Sequence, residues 1–85
     1  MTEDAFRAAF GAALDRQLRG HGKTRYALAK ALGVSTSYVS QAATGKKPVT
    51  PTLANRIGSA IEATEEELAE LHRAAALSRG YRFKP

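Results

Sequence analysis

A chain of 85 residues, with 13 lysines and arginines against 8 acids and a net charge of +5, has room for one hydrophobic core of modest size. It has no cysteine, which excludes disulfides and thiolate metal sites, and its two histidines, His21 and His72, are too far apart to suggest a metal centre, so no cofactor is expected. No long apolar run occurs, so neither a membrane span nor a signal peptide is expected, and the expected location is the cytoplasm.

Five helices are predicted, with no linker long enough to divide them, giving an all-α domain over residues 1–80 and a short tail over 81–85. In the first helix Phe6, Phe10, Leu14 and Leu18 recur every four residues, with Ala9 and Ala13 beside them, as one apolar stripe. Thr2 or Asp4 can cap its start, and Gly20 and Gly22 end it. A shorter second helix begins after Thr24, carries Leu28, Ala29 and Leu32, and stops at Gly33. Ser35 caps a third helix that ends at Gly45, and Lys46 to Val49 read as a loop. Thr50 followed by Pro51 is an N-cap with proline at the first helical position, and Leu53, Ile57, Ala60 and Ile61 form the apolar face of the fourth helix. Thr64 and Glu67 make a capping box for a fifth helix, with Leu68, Leu71 and Ala75 on one face and Gly80 at its end. Tyr81-Arg82-Phe83 alternates in a strand-like way over too few residues to define a strand.

The charge has a direction. Between Arg16 and Ile61 there is no acid, yet that stretch holds Arg16, Arg19, Lys23, Arg25, Lys30, Lys46, Lys47 and Arg56. The acids lie at the two ends. A basic middle of this kind suits a polyanion such as DNA, although a basic surface that is merely solvated has the same composition.

Helices two and three are separated by a turn containing one glycine, and the residues around it have physical reasons. Ala29 is small where the third helix must cross closely, and Gly33 can take the positive φ that ends the second helix. Leu28, Leu32, Val34, Val39 and Ala42 are apolar where the pair faces the core. At about 100° per residue, Thr36, Ser37, Ser40, Gln41 and Thr44 share a sector of about 140° on the third helix, opposite Tyr38, Val39 and Ala42. A face that is polar, uncharged and short-chained lets a helix approach the major groove closely. Thr36, Ser37, Ser40 and Gln41 are therefore the candidate base-contacting residues. Gln41 is the one long reader, able to pair with adenine or, on the plainer reading, to meet phosphate or water. Lys23, Thr24 and Arg25 at the start of the second helix, and Thr44, Lys46 and Lys47 after the third, are the candidate phosphate contacts.

Taken together, these residues resemble the Cro and phage-repressor-type helix-turn-helix regulators, also called the xenobiotic-response-element type. The resemblance covers roughly Lys23 to Leu71 and is carried by Leu28-Ala29, Leu32-Gly33-Val34-Ser35, Tyr38-Val39-Ser40, Gly45 and the Thr52-Leu53-Ala54-x-x-Ile57 run. The chain departs from the pattern at Arg25, where glutamine is frequent, and at Ala43, where glutamate is frequent. The resemblance implies a compact lambda-repressor-like five-helix fold with the helix-turn-helix at helices two and three. It further implies a sequence-specific transcriptional regulator, a phage or bacterial repressor that binds a two-half-site operator on double-stranded DNA as a homodimer at the nucleoid. In the resembled family the dimer surface lies in the last helix or a C-terminal strand. That points here to Leu77, which falls off the core face of the fifth helix, and to Tyr81 and Phe83; the alternative is a tail folded back on its own core.

Enzymatic chemistry is not expected. Ser35, Ser37 and Ser40 have no neighbouring histidine, Glu65 to Glu67 suit the positive end of a helix, and no glycine-rich phosphate loop is present. Two other binding roles stay open: an antitoxin-like protein that binds DNA and masks a toxin partner, and nonspecific nucleoid binding.

Overall fold

The computed structural model describes the backbone of residues 3–80 and the side chains of residues 8–78. Phe6 and the caps expected at Thr2 or Asp4, as well as Tyr81 and Phe83 of the tail, lie outside the described side chains. The five helices are α1 (Glu3–Gly20), α2 (Arg25–Leu32), α3 (Thr36–Thr44), α4 (Pro51–Ile61) and α5 (Glu65–Gly80), and no strand occurs among the described residues. This is the all-α architecture expected from the periodicity.

Local chemistry places the helix ends. Thr24, Ser35 and Thr50 are in extended backbone, and each hydroxyl accepts the N–H three residues on, from Ala27, Tyr38 and Leu53. The capping box at α5 is reciprocal: the Glu67 N–H donates to Thr64 Oγ1 at 3.1 Å, and the Thr64 N–H donates to Glu67 Oε1 at 2.9 Å. Gly33 closes α2 at φ 74°, a left-handed conformation that only glycine adopts without strain. The Val34 N–H then donates back to the Ala29 carbonyl at 3.0 Å, which completes the turn into α3. Arg56 on α4 adds a brace that periodicity does not reveal. Its Nη2 donates to the Leu32 carbonyl at 2.8 Å, placing a cation at the negative end of α2.

Phe10 and Leu14 of α1, Leu28 of α2, Ile61 of α4 and Leu71 of α5 are fully buried at the centre of one core. The α1 and α5 helices pack along each other, α3 lies against α1 and α2, and α4 bridges α2 to α5. Val49, in the loop before α4, is also buried and joins this core. Polar ties reinforce the α1–α5 pair. The Phe10 N–H donates to the buried Ser78 Oγ, and Gln17, 4% exposed, donates from Nε2 to the Glu67 carbonyl and to Glu70 Oε1. His21 meets Glu67 through Nε2 at 2.9 Å, and the half-buried His72 meets Asn55 at 2.8 Å.

One close approach decides where α3 sits. A Cβ added at Gly11 in α1 would lie 2.3 Å from the Ala43 carbonyl oxygen in α3. Only glycine allows the two backbones this near. Ala43 is buried by that contact, so a glutamate could not stand at this position without separating the helices. The alanine there is the partner of the glycine.

Candidate nucleic-acid interface

The face of α3 divides as its sequence predicts. Val39, Ala42 and Ala43 are buried; Thr36, Ser37 and Thr44 are exposed; Ser40 and Gln41 are half-buried at the margin. Tyr38 packs partly against the core. The polar side chains of this face are short and uncharged. Ser35, just ahead of them, is committed to the Tyr38 N–H at 3.0 Å. No partner among the described residues engages the side chains of Thr36, Ser37, Ser40 or Gln41, so their donors and acceptors face outward unspent.

The backbone of Gln41 has a separate duty. Its carbonyl accepts the Lys46 N–H at 2.9 Å, the Lys47 N–H at 3.2 Å and the Thr44 hydroxyl at 3.3 Å. The basic loop is thereby tied to the last turn of the same helix that carries the polar face. With its proton turned toward that carbonyl, Thr44 presents oxygen lone pairs outward, whereas a phosphate needs a donor. Lys46 and Lys47 are exposed, as is Lys23 before α2, and none of the three is paired with a carboxylate among the described residues.

The other basic side chains of the acid-free stretch, the exposed Arg19 apart, have partners among the described residues. Arg16 pairs with Glu70, Arg56 braces α2, and Lys30 stands 5.5 Å from the ring centre of Tyr26. Arg25 is held by Asp15 of α1: Nε donates to Oδ1 at 2.9 Å and Nη2 to Oδ2 at 2.7 Å. These hydrogen bonds raise the Arg25 pKa above its ordinary value, against a smaller opposing effect of burial. Composition counted these cations as equivalent; tertiary contacts separate the unpaired Lys23, Lys46 and Lys47 from the paired Arg16, Arg25 and Arg56, of which Arg25 spends only one edge of its guanidinium on Asp15.

Asp15 and Gly11 were not singled out in the sequence. A glycine inside a strongly helical pattern signals a close approach, which is the sign that could have found Gly11. Asp15 carries no such sign, because an acid at the edge of a basic stretch reads as surface. Among the described residues no group of acids and histidines could hold a metal ion, and no helix is long and apolar enough to cross a membrane.

The family model of the helix-turn-helix domain matches residues 9–71. Among solved structures, the chain is similar to the clp gene regulator ClgR from C. glutamicum, with 34% identity over 84% of this chain and 88% of that one, at a TM-score of 0.68. A search of curated proteins found no match.

Proposed function

The chain belongs to the helix-turn-helix family, and from that premise we propose that it is a transcriptional regulator that reads operator DNA with α3 and represses as a homodimer. The observation that carries this reading is the unspent polar face of α3, flanked by lysines free of acidic partners among the described residues. Thr36, Ser37, Ser40 and Gln41 contact bases. Lys23, Lys46 and Lys47, with the helix start at Thr24 and Arg25, contact phosphates on either side, and Thr44, whose hydroxyl proton is turned onto the Gln41 carbonyl, leaves that role to the lysines that follow it. Similarity to a protein described as a gene regulator supports the same assignment.

Residues 1–80 act in this reading as one DNA-binding unit, and the tail 81–85 takes part in dimer contact. Leu77 is 44% exposed. It borders a shallow depression between α1 and α5 whose apolar lining is Ala9, Ala12, Ala13 and Ala74 and whose charged lining is Arg73 and the paired Arg16 and Glu70. A protruding leucine beside a hollow that is part alanine and part charged suits a two-fold contact, in which each copy's leucine enters the hollow of the other. Tyr81 and Phe83, aromatic residues that follow α5 in the sequence, are further candidates for dimer contact in this reading.

Selection of bound duplexes from a random pool, followed by footprinting, tests the proposal. The expected result is a common sequence with two related half-sites about 34 Å apart, one helical turn. Recovery of duplexes with no shared sequence would leave only nonspecific binding and overturn it.

A further inference from the structure

We propose that Asp15 is a positioning residue for DNA binding: it holds the Arg25 guanidinium at the start of α2 with a second donor edge directed to a phosphate. The proposal rests on the reading of α2 and α3 as a DNA-binding unit. An arginine has five N–H donors in a rigid plane. The contact with Asp15 uses two of them, one from Nε and one from Nη2, along one side of that plane. The end of the fork, with one N–H from Nη1 and the second from Nη2, has no partner among the described residues. Its two parallel donors match two oxygens of a phosphate as they would match a carboxylate.

The setting supports this use. The Arg25 side chain is 32% exposed and that of Asp15 37%, so the pair sits at the surface, open on one side. Arg25 is the first residue of α2, and the neighbouring Thr24 hydroxyl is turned inward onto the Ala27 N–H. The first N–H groups of the helix, those of Arg25 and Tyr26, have no intrahelical acceptor, as at any helix start. A cation at the positive end of a helix is disfavoured when it stands alone. Asp15 offsets that penalty and fixes a side chain that would otherwise have many rotamers.

A simple charge argument predicts the opposite outcome, which makes the proposal testable. Asp15→Asn adds one positive charge to the protein and, through charge alone, tightens its grip on DNA. Positioning predicts a loss. Freed of its carboxylate, Arg25 must be ordered on each binding event, and affinity falls by about two- to tenfold. The experiment measures the affinity and salt dependence of the full chain on its selected duplex for the wild type, Asp15→Asn, Arg25→Ala and the double variant. Circular dichroism at the assay temperature checks folding. Arg25→Ala should weaken binding and lower the log–log salt slope by about 0.9. Asp15→Asn should weaken binding in the presence of Arg25 and cause no loss in its absence. Arg25→Lys, which keeps the charge but cannot present two planar edges, should weaken binding with the slope retained, and it serves should Asp15→Asn not fold. Binding by Asp15→Asn as tight as or tighter than wild type would overturn the proposal, as would a neutral Arg25→Ala or Arg25→Lys. Should Lys46→Ala with Lys47→Ala still lower the salt slope in that event, the DNA-binding reading stands and only the role of Asp15 falls. A wild type that binds no duplex sinks both.

Discussion

Gln41 divides its functions between backbone and side chain, and this makes its substitution informative. Its carbonyl anchors Lys46 and Lys47, while its amide is unpaired among the described residues. Gln41→Ala keeps the carbonyl, so the basic loop stays in place. The variant should lose about 1–3 kcal/mol on operator DNA and relax preference at one base pair in each half-site. Its salt slope should stay as in the wild type, because no phosphate contact is lost. Measuring affinity across all four bases at each position checks this; a uniform loss at every sequence would mean that Gln41 positions the helix and does not read. Replacing Lys46 and Lys47 with alanine should do the reverse, lowering the slope by about 0.9 for each phosphate contact and weakening all duplexes alike. The polar face of α3 was legible from residue spacing because helical period alone assigns sides. Which cations are free was not legible, since Asp15, Glu70 and the Leu32 carbonyl reach their partners from other elements.

Two helix contacts set the stability and placement of the elements. Gly11→Ala should gain about 1 kcal/mol of helix propensity in α1. The added methyl would meet the Ala43 carbonyl oxygen at 2.3 Å, and a backbone oxygen cannot swing aside. Overpacking of this kind costs about 1–3 kcal/mol even where side chains can adjust, so the net effect is destabilising. A lower denaturant midpoint and weaker operator binding are expected; a midpoint at or above the wild type would show that α1 and α3 tolerate more separation than the packing implies. At the other end of α1, the Glu67 carboxylate accepts the Thr64 N–H and meets His21, and these contacts hold its pKa below the ordinary glutamate value, with the Thr64 backbone bond as the first cause. A depressed carboxylate pKa stabilises the fold above the unfolded-state pKa, and the contribution is lost as pH falls through the lowered native value. Glu67→Gln keeps the acceptor and removes the charge. Its stability should fall short of wild type at neutral pH and converge with it in acid; a gap constant across that range would rule out the charge as the cause.

At the scale of the molecule, reach is the limiting quantity. The nine residues of α3 make a rod about 13 Å long, which spans only about four base pairs. One copy of this reach is too short to single out an operator, which is why the proposed regulator joins two copies through α5. Leu77→Glu, or deletion of Tyr81 to Pro85, should yield monomers at micromolar concentration by light scattering and cut operator affinity while the chain stays helical by circular dichroism at the assay temperature, with a melting temperature no higher than that of the wild type. A truncated chain that remains dimeric would remove the tail from the interface, and a dimeric Leu77→Glu would remove the α5 surface.

Helix identity and order, the three hydroxyl N-caps, the capping box and the left-handed Gly33 are properties of short stretches. Each depends on residues within four positions of one another, so the sequence by itself determined them. The polar face of α3 belongs to the same class. The burial of Val49, a lone apolar residue in a loop, was decided only when the core formed around it. So was the fit of Gly11 to Ala43, residues more than thirty positions apart whose small size has no meaning until the two helices cross. The pairing of Arg25 with Asp15, the brace from Arg56 and the tie of Arg16 to Glu70 are likewise tertiary. Periodicity assigns a side chain to a face but carries no information on which element arrives opposite it, and the electrostatic role of each cation follows from that arrival.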